Sequence, residues 1–134
     1  GRYLVSAICP GVKGWTGMES AEIVKSLCDR FNFDLVIVVD ALACNHISRM
    51  CNSIQVCTAG ISPGAGIGNH VMGINKETLG VDVLAIGIPT VSDIDCYIET
   101  EEECFVTPNN IDEAIDILSL ILSISINEAL IEKS

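Results

Sequence analysis

The run Asp34-Leu35-Val36-Ile37-Val38-Val39-Asp40-Ala41-Leu42-Ala43 constrains the fold more than any other stretch of the chain. Its β-branched and aliphatic side chains show no polar alternation, the pattern of a strand covered on both faces in a parallel sheet. The strand is expected to span Leu35 to Val39 and to deliver the Asp40 carboxylate to its carboxyl end, where open α/β sheets bind their ligands. Asp40 is therefore the first residue to suspect of chemistry, and an aspartate after a strand serves equally well to cap the turn that follows.

Upstream, Leu4 to Cys9 reads as a short buried strand stopped by Pro10-Gly11. A glycine-spaced turn over residues 11–17 follows, then a helix with Thr16 as cap and Glu19 three positions on, a capping-box spacing. Ala21, Val24, Leu27, Cys28 and Phe31 recur at helical intervals. Strand, helix, strand makes a βαβ unit. Ala41 to Met50 suits a short helix or an irregular crossover, and Ser53 to Cys57 reads as a strand. Asn75 to Leu79 suits one helical turn stopped by Gly80, and Val83 to Ile88 a strand ended by Pro89. Cys104 to Val106 suits an edge strand. Thr107 or Asn110 caps a long final helix, Asn110 through Glu132, whose apolar positions cover more than one stripe and predict packing on two sides.

Length and charge limit what such a chain does. Its 134 residues suit one α/β domain. A net charge of -11 opposes a phosphate backbone and argues against direct nucleic-acid binding; a basic protein partner suits it better. The seven cysteines form no CxxC and read as reduced, mainly buried small hydrophobes of a cytosolic protein. Cys44, His46 and Cys51 match no zinc spacing and lack a fourth ligand. No signal sequence is evident, and acidic residues break the most apolar window, Ile111 to Leu130, so no membrane span is expected.

Several short motifs invite a chemical reading. Gly64, Gly66 and Gly68 imitate a dinucleotide fingerprint, but they lie mid-chain and Asn69-His70 does not open a strong helix, so a structural or substrate-contacting loop fits better. The turn containing Gly11, Gly14, Thr16 and Gly17 lacks the Gly-Lys-Ser/Thr ending of a P-loop and is expected to shape a site. Neither His46 nor His70 adjoins a nucleophile elbow. Asp93 and Asp95, beyond Pro89 and Thr90, could face the same crevice as Asp40 or merely cap a helix.

Ordered blocks carry a resemblance. Ser6-Ala7-Ile8, Pro10-Gly11-Val12, Thr16-Gly17, Asp40-Ala41-Leu42-Ala43 and Ser53-Ile54-Gln55 are followed by Pro63-Gly64-Ala65-Gly66-Ile67-Gly68-Asn69, Lys76-Glu77-Thr78-Leu79-Gly80 and Ala85-Ile86-Gly87-Ile88-Pro89-Thr90-Val91. In these blocks the chain resembles the germination protease family of spore-forming bacteria. The resemblance implies a three-layer α/β/α fold with a mostly parallel sheet, similar to hydrogenase maturation proteases. It also implies an atypical aspartic-type endopeptidase, homo-oligomeric and cytoplasmic in the spore core, that degrades small acid-soluble spore proteins without a metal or organic cofactor.

By the same resemblance Asp40 occupies the block of a proposed catalytic aspartate, and its partner lies in an N-terminal segment upstream of residue 1. Paired carboxylates sharing one proton divide the base and acid roles of aspartic proteolysis. One aspartate cannot fill both. The chain is accordingly expected to be a fragment or processing product, inactive alone, with a cleft shaped by residues 11–17, residues 60–69 and Pro89-Thr90. The rival expectations are a non-catalytic oligomerisation or interaction domain and, less well supplied with ligands, a metal-dependent maturation peptidase.

Overall fold

The computed structural model describes residues 3–63, 71–93 and 105–131. In chain order the elements are helix α1 (Lys13–Thr16), helix α2 (Ser20–Arg30), strand β1 (Leu35–Cys44), a 3-10 turn (Ile47–Arg49) and strand β2 (Gln55–Cys57). Helix α3 (Lys76–Leu79), strand β3 (Asp82–Asp93), strand β4 (Phe105–Val106) and helix α4 (Ile111–Ala129) follow.

Every described pairing in the sheet includes β3. It lies parallel to β1, from Leu35 opposite Asp82 to Cys44 opposite Ser92. It lies antiparallel to β2, with Gln55 opposite Gly87, and antiparallel to β4, with Ser92 opposite Val106. The sheet is therefore mixed, with one parallel pair and two antiparallel ones, and the expected mostly parallel sheet is corrected. The architecture gives no support to the expected likeness to hydrogenase maturation proteases. Connection length supplies the reason, because a parallel return needs a crossover of a dozen or more residues, usually a helix. Residues 45–54 hold only a 3-10 turn, so β2 comes back antiparallel.

Two strand ends also move. β1 does not stop at Val39 but continues through Asp40 to Cys44, where the Ser92 hydroxyl, fully buried, donates to the Cys44 carbonyl at 2.9 Å. β3 likewise runs through Pro89 instead of ending there. The register slips at that point, Leu42 facing Pro89 while Ala43 faces Val91. Thr90 is thus the extra residue of a bulge, a setting in which a proline without an N–H is tolerated. The Thr107 hydroxyl donates to the Thr90 carbonyl at 2.8 Å and ties the approach to α4 to this bulge.

Alternation along β1 and β3 gives the sheet a covered face. Val36 and Val38 point the same way as Asp40, and they pack with Val83 against Ala21, Val24 and Cys28 of α2 and Leu79 of α3. α2 begins three residues later than expected. Glu19, not Thr16, is its N-cap, with its side chain accepting from the Glu22 N–H while Glu22 accepts from the Glu19 N–H. Thr16 instead belongs to α1, and its hydroxyl accepts from the Met18 N–H at 3.1 Å.

Leu4 to Cys9, read as a buried strand, is neither buried nor paired; Leu4, Val5 and Ile8 stand in solvent. Its apolar pattern is real, but no described strand offers it a ladder. α4 buries Leu118 and Leu122 and leaves Ile117, Leu120, Ile121 and Ile124 exposed, so only one of its two apolar stripes is covered. Among the described residues no helix is long and apolar enough to cross a membrane.

At Gly87 the β1–β3 ladder leaves no room for a side chain. A Cβ added there would lie 2.2 Å from Cδ1 and 2.7 Å from Cγ of Leu42. Gly87→Ala is expected to lower unfolding stability by about 1–3 kcal/mol through overpacking. Leu42→Ala should then cost less in the Gly87→Ala background than alone, a coupling that denaturant unfolding of the four variants measures.

Candidate active site

The Asp40 side chain sits on the helix-covered face of β1, one strand repeat beyond Val38 and past the apolar cluster under α2. Its cross-strand neighbour is Gly87, and the next in the row is Gln55 on β2. With strands about 4.8 Å apart, Asp40 and Gln55 stand roughly 10 Å apart across a residue that has no side chain. The space beside the carboxyl that a side chain at position 87 would take is occupied by Leu42.

Asp40 is half-buried, and that burial raises its pKa above the ordinary carboxylate value; the Ala41 N–H, which bonds to it, opposes the rise. Burial wins because one hydrogen bond replaces only part of the hydration a carboxylate loses. Asp40 is therefore a carboxyl with increased affinity for its proton, a property that suits proton exchange and is common at functional sites.

The other expected site residues divide into groups. The turn holding Gly11, Gly14, Thr16 and Gly17 is α1 and its flanks, closed where the Gly17 N–H donates to the Lys13 carbonyl at 2.7 Å. Glu19 links that turn to the return of the glycine loop. Its carboxylate receives the Lys13 ammonium at 2.9 Å and the Met72 N–H at 3.3 Å, and these two partners hold its pKa below the ordinary value. Sequence reading placed both segments near a cleft and missed Glu19 as the residue that ties them. Its signal was the capping-box spacing from Thr16, which pointed to a helix cap alone.

Gly64, Gly66, Gly68, Asn69 and His70, with Asp95, lie outside the described residues. Pro89 and Thr90 form the bulge opposite Leu42, two residues from Asp40 on the same strand. Asp93 ends β3 six residues beyond Gly87, about 20 Å along the strand, so the ladder does not bring it to Asp40 as a proton-sharing partner. Among the described residues no three His, Cys, Asp or Glu side chains gather as a metal site, Cys44, His46 and Cys51 included. The Cys44 thiol is buried and donates to the His46 carbonyl at 3.3 Å; Cys9 and Cys57 are exposed, against the expectation of burial.

A cleft of about 290 Å³ opens at the carboxyl end of β1, lined by Ala43, Cys44, Asn45, His46, Arg49 and Gln55. A larger one of about 690 Å³ lies between the 3-10 turn and the start of α4. Sequence reading assigned no role to Arg49 or Gln55.

The fold is thus α/β, with a half-buried carboxyl in mid-strand on the helix-covered face of a mixed sheet. Comparison with known proteins gives its family. The profile of the germination protease family matches residues 1–102, and the chain belongs to that peptidase family. It is 55% identical over 89 residues to the germination protease of Clostridium perfringens, covering 66% of this chain and 27% of the relative. It is 54% identical over 89 residues to that of Caldanaerobacter subterraneus, with 66% and 28% covered. Against that of Bacillus licheniformis it is 48% identical over 89 residues, with 66% and 24% covered. The chain thus spans about a quarter of the length of these curated relatives.

The raised pKa of Asp40 fixes the sign of a pH effect. The folded state holds the Asp40 proton more tightly than the unfolded state does, so stability falls as pH rises from the ordinary carboxylate range through the raised value. Asp40→Asn is expected to remove that component and to match or exceed the parent's stability at neutral pH. Thermal unfolding of both proteins from pH 4 to 8 checks this; a variant less stable at neutral pH with an unchanged slope contradicts it.

Proposed function

We propose that this chain is the Asp40-bearing part of an aspartic-type endopeptidase that degrades small acid-soluble spore proteins during germination, in the cytoplasm of the spore core. The observation that carries the reading is the half-buried Asp40 carboxyl, its proton affinity raised by burial, opposite Gly87 in a chain of the germination protease family. A net charge of -11 suits a basic protein substrate. Hydrolysis of an amide by carboxyl chemistry needs one group to take a proton from water and another to give one to the leaving nitrogen. In this proposal Asp40 is one of the two, and the second comes from a part of the protease that these 134 residues do not contain.

An assembly role is the second reading, favoured by the exposed row Ile117, Leu120, Ile121 and Ile124 on α4. An apolar stripe of this kind suits contact with another subunit of a homo-oligomer. The two readings are compatible in a full-length protease and diverge for the isolated chain.

The test is cleavage of a purified small acid-soluble spore protein, followed by mass spectrometry with and without chelator. Compared are a full-length protease containing this sequence, its Asp40→Asn variant, and residues 1–134 alone. Expected are specific cuts by the full-length protein that persist with chelator, a loss of about 10²–10⁴-fold in the variant, and none by the isolated chain. Undiminished cleavage by the Asp40→Asn protein would remove Asp40 from the mechanism. No cleavage by the mature full-length protein would leave the assembly role.

A further inference from the structure

From Val39 to Ala43 the burial of β1 alternates: Val39, Ala41 and Ala43 are exposed, while Asp40 and Leu42 are half-buried. Both of the latter therefore stand on the helix-covered face, in one row with Val36 and Val38. On β3 the row that faces them shortens step by step, from Val83 opposite Val36 to Ala85 opposite Val38 and Gly87 opposite Asp40. The volume left free by the missing side chain at 87 is filled from the other strand. Leu42 leans back over Gly87, with its Cδ1, Cγ and Cδ2 at 2.2, 2.7 and 3.2 Å from the point that a Cβ would occupy.

This seats the Leu42 methyl groups about one strand spacing, roughly 5 Å, from the base of the Asp40 side chain, on the side toward β3. Pro89 fixes the far side of Leu42. It is the residue opposite Leu42 in the register, it is fully buried, and its carbonyl accepts the Cys51 N–H at 2.8 Å. An apolar group so placed excludes water that would otherwise hydrate a carboxylate, and burial is the leading cause of the raised proton affinity of Asp40. The elements around this face bring few titrating or charged groups. α2 brings the Cys28 thiol, whose own pKa burial pushes up. Lys76 of α3 pairs with Asp82 at the opposite end of β3. On the β2 side stands Gln55, which is neutral and lines a cleft with His46 and Arg49.

We propose that Leu42 is a positioning residue of the Asp40 site: its isobutyl group, seated over Gly87, is the apolar wall that closes the β3 side of the carboxyl to water. This role is separate from packing the sheet. A polar side chain of the same size at residue 42 would fill the same volume and still hydrate Asp40. The proposal deepens the peptidase reading and rests on it for the reaction that Asp40 serves.

The test is a carbon-detected NMR titration of the Asp40 carboxyl in residues 1–134 and in three variants. Leu42→Ala is expected to lower the midpoint toward the ordinary aspartate value, since water enters the vacated volume and favours the charged form. Leu42→Met keeps an apolar group over Gly87 and is expected to hold the parent's midpoint. Val39→Ala removes aliphatic bulk from the exposed face of the same strand and should leave the midpoint where it is. If Leu42→Ala loses the parent's backbone spectrum, Leu42→Asn, close to leucine in shape but polar, takes its place with the same expected fall. An unchanged midpoint in whichever of these two folds overturns the proposal, and so does an equal fall in Val39→Ala. The midpoint is read without any cleavage. In a full-length protease containing this sequence, the pH limb of kcat/KM that belongs to Asp40 should move with it. A limb that stays while the midpoint falls contradicts the peptidase reading of Asp40 and leaves the Leu42 wall in place.

Discussion

The parallel ladder between β1 and β3 holds Val36 and Val38 against α2 and α3, and it carries Asp40 to the place where that cover thins. β2, β4 and the 3-10 turn all attach to β3, the last through the Cys51–Pro89 bond. A shift of one residue in this ladder would turn Asp40 to the opposite face. The close fit of Leu42 over Gly87 and the bulge at Thr90 both favour the observed register. The candidate site therefore depends on backbone pairing more than on any loop.

Chemically, the ladder produces an asymmetric setting. On one side of Gly87 is a half-buried carboxyl with an increased hold on its proton; on the other is Gln55, which lines a cleft with Ala43, Cys44, Asn45, His46 and Arg49. This setting explains why Gly87 serves the site as well as the sheet: any side chain there would meet Leu42 and narrow the space between the two halves.

Much of this was legible in the sequence, and the misses have physical causes. The strand of β-branched residues, α2, the one-turn helix after Asn75 and the final helix all follow from periodicity and caps. The direction of β2 did not, because strand direction depends on what the preceding connection can span. Pro89 read as a terminator because proline breaks a ladder, yet at a bulge it does not. Leu4 to Cys9 has the composition of a strand, but a strand also needs a partner, and composition does not supply one. Asp40 was singled out from its position after aliphatic residues, and the structure half-buries it.

The central claim is that burial on the covered face of β1 raises the proton affinity of Asp40. The most direct measurement is a carbon-detected NMR titration of its side-chain carboxyl in residues 1–134. The account predicts a midpoint above the ordinary aspartate value of about 3.9. A midpoint at or below that value would mean that hydrogen bonding outweighs burial, and it would contradict the reading of Asp40 as a proton-holding carboxyl.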